Sequence, residues 1–142
     1  MKFLLVASFG KSIIGFRGEL IESIQSLGNQ VHILFPNPNH ENICNTLTEK
    51  GFKVHDFKIN RKGTSLLAEF LSLCRLYFQI RSIKPDILFS YTIKPVIYTG
   101  LVSMLLRIPR RYSLITGLGY AFQHERGRFN FTQFIAQVMY RI

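Results

Sequence analysis

The chain has 142 residues, enough for one domain of ordinary size, and 47% of them are hydrophobic against 18% charged. That balance excludes a disordered chain, because enough apolar surface is present to offset the entropy lost on folding. Eighteen Lys and Arg face eight Asp and Glu, a net charge of +10 that points to an anionic partner: nucleic acid, an anionic membrane face or a phosphorylated ligand.

Lys2 followed by "FLLVA" imitates a secretory signal, but the apolar stretch Phe3 to Ala7 is shorter than the ~7–15 residues of an h-region, so it reads as a first buried strand. Ile13, Phe16, Leu20, Ile24 and Leu27 recur at helical spacing, and Gly28 closes that helix. "QVHILFP" is a second strand stopped by Pro36, "HENICNTLTEKG" a short helix stopped by Gly51, and "FKVHDF" a third strand. "RKGTS" is a loop in which Thr64 or Ser65 caps a long helix over Leu66 to Lys84, ended by Pro85. "DILFSY" is a fourth strand. Pro95, suited to a first helical position, opens a helix to about Leu106, and "RRYSLIT" is a fifth strand. After a polar stretch, Gln123 to Asn130, a last helix begins near Phe131 or Thr132 and shows no stop by Ile142. This pattern predicts that the chain breaks off inside an element.

Five strands alternating with helices over short connections predict an α/β, Rossmann-like parallel sheet with helices on both faces. Such sheets bind ligands at the carboxyl ends of their strands, where the strand order reverses. Three loops fall on that edge. In the first, Gly10, Lys11 and Ser12 lead into a helix N-terminus whose free N–H groups favour an anion, with Arg17 adding positive charge. "GKS" is not a P-loop, because Leu5 stands where that motif needs glycine, and the GxGxxG fingerprint fails at Ser8 and Ile13. In the second, Tyr91, Thr92 and Lys94 offer hydrogen bonds to a sugar or phosphate. In the third, Thr116 offers a hydroxyl, Gly117 and Gly119 permit close backbone approach, and Tyr120 and Phe122 supply an apolar or stacking wall. The bland alternatives are a tight turn, a packed Tyr91 and solvated lysines.

Other chemistry is sparse. Cys44 and Cys74 form no CxxC pair, which fits a reducing compartment. His32 and His55 lie in strands, His40 and His124 in polar loops, and no pair has metal-ligand spacing, so no metal site is expected. Basic residues cluster at Lys50, Lys53, Lys58, Arg61 and Lys62 and again over 107–141, beside the long apolar helix with Phe70, Tyr77 and Phe78. That mixture suits an anionic membrane surface or nucleic acid; the absence of a recognition motif favours the membrane.

The opening "KFLLVASFGKSIIGFRGELIESIQSLGNQVHILFP", the block "IKPDILFSYTIKPVIYTGL" and "PRRYSLITGLGYAF" together resemble the N-terminal half of family 4 glycosyltransferases of the GT-B fold. The resemblance is to the bacterial branch that assembles capsule, O-antigen and lipid-linked oligosaccharides, and it covers nearly the whole chain. It implies that residues 1–142 form one Rossmann-like domain, the acceptor side of a two-domain cleft, with the donor-binding domain absent. It implies retaining transfer of a sugar from a nucleotide-sugar, a UDP-sugar above all, to a lipid-linked or polysaccharide acceptor, with no cofactor beyond the donor and no metal ion. It places the protein in the cytoplasm, peripheral on the inner face of the membrane. By the same resemblance Gly10, Lys11 and Ser12 form the first loop, near the acceptor and the donor phosphates, while Tyr91 to Lys94 and Thr116 to Tyr120 line the cleft. Many relatives carry a His after the fourth strand; "SYTIKP" stands here, so no catalytic residue is assigned. The fragment alone is expected to be inactive. Two other readings stay open: a non-catalytic subunit that recruits a separate donor domain to the membrane, and a basic nucleic-acid-binding domain.

Overall fold

A computed structural model describes residues 1–36, 41–57 and 66–115. The elements run β1 (Lys2–Val6), α1 (Gly10–Ser26), β2 (Gln30–Phe35), α2 (Glu41–Glu49), β3 (Lys53–Asp56), α3 (Leu66–Ile83), β4 (Ile87–Tyr91), α4 (Ile93–Leu105) and β5 (Arg110–Leu114). The loop "RKGTS", the "TGLGYAF" loop, the polar stretch 123–130, the last helix, His40 and His124 lie outside the described residues.

All strand pairs are parallel, in the order β3-β2-β1-β4-β5. Strand β1 is central: Leu5 stands between Ile33 of β2 and Phe89 of β4. A strand in that position is covered on both faces, which is why "FLLVA" is an unbroken apolar run. Its alternating side chains feed two cores. Phe3, Leu5 and Ala7 pack with Ile13 and Ile21 of α1 and with Ile43 and Leu47 of α2. Leu4 and Val6 pack with Leu76 and Ile80 of α3 and with Ile97 and Val102 of α4. The result is a doubly wound layer structure, α1 and α2 on one face and α3 and α4 on the other.

The helix stops explain themselves. Gly51 has φ +83; its N–H reaches Thr48 O and the N–H of Phe52 reaches Leu47 O, a Schellman ending in which Phe52 and Leu47 share one core. The same ending closes α4 with Arg107 at φ +52, where no glycine marks it in the sequence. In "KPD", Lys84 ends α3 at φ +51 and Asp86 accepts the Lys2 backbone N–H at 2.7 Å, so these residues join the amino ends of β4 and β1.

Two expectations shift. Helix α1 starts at Gly10, and its inward stripe is Gly10, Ile13, Ile21 and partly Ile24, so Phe16, Leu20 and Leu27 are exposed. Helix α4 starts at Ile93, so Pro95 is its third residue; its missing N–H still falls among the unpaired donors of the first turn, and the first ladder bond runs from Val96 N to Thr92 O.

Candidate functional site at the carboxyl edge

The strand order reverses between β1 and β4, and their carboxyl ends open side by side. Here the turns Ser8–Phe9 and Tyr91–Thr92 meet. Ser8 Oγ and Thr92 Oγ1 lie 2.8 Å apart, a hydrogen bond that ties one turn to the other. Beside it, Ser12 Oγ–H donates to Phe9 O at 2.7 Å. That uses the one hydroxyl hydrogen of Ser12, so the Tyr91 O–H is the donor in the 2.9 Å contact with Ser12 Oγ. The Arg17 guanidinium lies over the Tyr91 ring, 5.4 Å from its centroid, within cation–π reach. Tyr91 is 3% exposed. Burial raises its pKa, against the opposing pull of the Ser12 bond and Arg17, so the phenol stays a neutral donor.

Helices α1 and α4 begin at this edge. Neither has a side-chain cap or an acidic residue in its first turn, so the positive ends of both dipoles are uncompensated by side chains there. Thr92, which precedes α4, sits at φ 72 and ψ 146. That region is strained for a β-branched residue, by about 1–3 kcal/mol, and persists only where surrounding contacts hold it. Two such contacts are the Ser8 bond and, two residues on, the 3.0 Å ion pair from Lys94 Nζ to Glu69 Oε1 in the first turn of α3. Glu69 Oε2 and Arg17 Nε are buried without a hydrogen-bond partner.

The structure therefore brings Gly10, Ser12, Arg17, Tyr91, Thr92 and Lys94 to one edge, with Lys11 on the exposed side of the first turn of α1. Gly10 is buried against Phe35 and Ile43, so it serves close helix–sheet packing as well as any approach of a ligand. Tyr91 packs in the core beneath the site and presents only its hydroxyl. Thr116, Gly117, Gly119 and Tyr120 lie outside the described residues. Ser8 and Glu69 are the site residues that sequence reasoning missed. The signal for Glu69 was available: a helix following a parallel strand starts on the carboxyl edge, and Glu69 is in such a first turn.

Away from this edge, His32 and His55 join β2 to β3 on the face that α3 and α4 cover. His32 Nδ1 and His55 Nε2 are 2.9 Å apart, and His32 Nε2 is 3.2 Å from Gln30 Oε1. Since the amide oxygen only accepts, His32 carries its proton on Nε2 and takes one from His55. Burial, then the neighbouring His55, Lys53 and Lys2, lower the His32 pKa to about 4; burial and Lys53 lower that of His55. Among the described residues no three His, Cys, Asp or Glu side chains gather as a metal-ligand set.

Solved structures share this architecture. UDP-GlcNAc 2-epimerase from Neisseria meningitidis, bound to UDP-GlcNAc, aligns with a TM-score of 0.62 and 17% identity over 98% of this chain and 38% of that one. MurG from Acinetobacter baumannii aligns at 0.61 and 19% identity, over 80% of this chain and 33% of that one. A glycosyltransferase from Rickettsia africae aligns at 0.58 and 13% identity, over 79% and 28%. The chain thus spans about a third of the length of these structures, and at such identities the likeness is one of fold, a Rossmann-like half of the GT-B architecture. No curated protein matches in sequence. A family profile described as "Glycosyl transferase 4-like" matches residues 3–142, so the chain belongs to the glycosyl transferase 4-like family.

Proposed function

We propose that this chain is the acceptor-binding half of a retaining glycosyltransferase that moves a sugar from a nucleotide-sugar, a UDP-sugar above all, to a lipid-linked or polysaccharide acceptor in bacterial surface-glycan synthesis. The observation that carries the proposal is the carboxyl-edge cluster at the switch point. Two helix N-termini with no acidic residue in their own first turns meet there with the hydroxyls of Ser8, Ser12, Tyr91 and Thr92. Such an edge favours a diphosphate and can hydrogen-bond the sugar hydroxyls beside it. The Neisseria epimerase, with the same fold, holds UDP-GlcNAc, which supports a nucleotide-sugar as one partner. The donor-binding domain is then supplied in cis or by a partner subunit, and the protein works on the inner face of the cytoplasmic membrane.

The test is equilibrium binding and sugar transfer by the native polypeptide with a panel of UDP-sugars and an undecaprenyl diphosphate-linked sugar. The double variant Ser8→Ala with Thr92→Ala is expected to lose transfer by about tenfold or more, the effect of misplacing groups that position a substrate. Unaltered transfer and acceptor affinity in that variant would remove the cluster from the site.

A further inference from the structure

Helices α1, α3 and α4 each follow a parallel strand, so their first turns all open at the carboxyl edge. Only one acid stands in those three turns. Helices α1 and α4 have none, and α3 has Glu69. Its Oε1 accepts from Lys94 Nζ at 3.0 Å, across from α3 to α4, while its Oε2 is buried with no hydrogen-bond partner. A carboxylate accepts at both oxygens, and a buried charged acceptor left unmatched is penalised. Against that penalty the ion pair offers little, since Lys94 is 34% and Glu69 25% exposed.

The pair carries a second burden. It is one of the contacts that hold the first turn of α4, and with it Thr92, in the strained conformation. Separating Lys94 from Glu69 therefore gives up one weak contact and relieves two penalties, the unmatched Oε2 and the backbone at Thr92. The rest of the edge favours an anion. Lys11 is exposed in the first turn of α1, and Arg17 keeps a buried Nε without an acceptor. Among the described residues, Lys94 is the cation of this cluster that an acid neutralises.

We infer that Glu69 is a resident counter-ion, which occupies Lys94 until an anionic ligand, a diphosphate above all, takes the lysine over. The ligand and Glu69 compete for one ammonium, so the carboxylate sets how tightly the edge grips its phosphates. A merely positioning Glu69, one that aims Lys94 at the ligand, makes the opposite prediction: losing it would weaken binding. The inference deepens the function proposed above at its anion site and rests on that reading for the class of ligand.

The experiment is calorimetric titration of the full chain with inorganic pyrophosphate at low salt. Glu69→Gln is nearly isosteric, Glu69→Ala repeats the test without an amide, and thermal melts verify that each variant is folded. Both are expected to bind pyrophosphate about fivefold more tightly than wild type, and Lys94→Gln about fivefold more weakly, the scale of one nearby charge in a partly solvated site. Glu22 forms its own ion pair with Lys50 in the second half of α1, far from the carboxyl edge. Glu22→Gln should therefore match wild type within about twofold, because solvent and salt screen that distance. In wild type, the side-chain carboxyl carbon resonance of Glu69 should move during the titration with the midpoint that calorimetry gives. Four results would overturn the inference: no pyrophosphate bound by Glu69→Gln, binding by the Glu69 variants equal to or weaker than wild type, an equal gain in Glu22→Gln, or a Glu69 resonance that stays fixed through saturation. Tighter pyrophosphate binding by Glu69→Gln while no UDP-sugar or lipid diphosphate binds would sink the transferase reading and leave the counter-ion standing. Sugar transfer by the native polypeptide, with pyrophosphate affinity unchanged in Glu69→Gln, would do the reverse.

Discussion

Replacing Gly10 by alanine asks whether this glycine serves packing or ligand approach. An added Cβ would lie 2.7 Å from Phe35 Cε2 and 3.1 Å from Ile43 Cγ2. The Phe35 ring is fully buried in the core beneath α1, so it has little room to yield. Overpacking of this kind costs about 1–3 kcal/mol, and at about 2–4 °C per kcal/mol for a chain of this size the melting temperature should fall by several degrees. Urea or thermal unfolding of Gly10→Ala reads the loss directly. Phe35→Leu in the same chain makes room for the methyl group, so the double variant should be at least about 1 kcal/mol more stable than the sum of the two single changes requires. A Gly10→Ala protein that melts like wild type, or strictly additive effects in the double variant, would refute the packing argument. Lost acceptor binding at unchanged stability would then mean that the glycine is needed only for close approach of a ligand.

Lys94→Ala leaves Glu69 without its partner and should cost about 1 kcal/mol, since the pair is only partly buried. Adding Glu69→Gln should restore stability by thermal melt; acceptor affinity that stays low in the double variant assigns Lys94 to the ligand, and affinity that returns with stability makes the pair structural. Arg107→Gly should stabilise by about 0.5–1 kcal/mol, because it relieves a left-handed φ at some cost in unfolded-state entropy, and an unchanged or lower urea midpoint would contradict this. The His32–His55 pair is neutral in the folded chain, so the unfolded state takes up protons first. Stability should hold above about pH 6.5, fall as pH drops toward about 4, and flatten below it, a slope that His32→Asn should reduce in acid titration.

The order of strands and helices was legible because its punctuation is local. Gly28, Gly51 and Pro85 stop their helices, and the period of the apolar residues changes from one element to the next. The convergence of the first two loops on one edge followed from the parallel βα pattern alone. What sequence could not carry was direction. The apolar residues of α1 were legible as a helix, but which of them turn inward depends on where the sheet lies, and Phe16 and Leu20 turn out. Helix α3 is apolar on two sides, so its period does not distinguish the core stripe from the outer one. The strain at Thr92 and the left-handed Arg107 come from contacts 84 residues away in one case and from helix closure in the other, and neither leaves a glycine to mark it. Glu69 and Ser8 escaped notice because each acts through a partner on another element.

The pairing of β1 with β4 also sets a clock for synthesis. Val6 is made early but its partner Ser90 comes 84 residues later, whereas its other neighbour, Leu34, follows after 28. At about 5–20 residues per second a nascent chain leaves that edge of β1 waiting roughly four to seventeen seconds for β4. Once Leu34 has been made, for the remaining two thirds or so of that wait, the most apolar of the described strands is a half-finished template, paired on one side and open on the other, and it is there that a chaperone would be most useful to this chain.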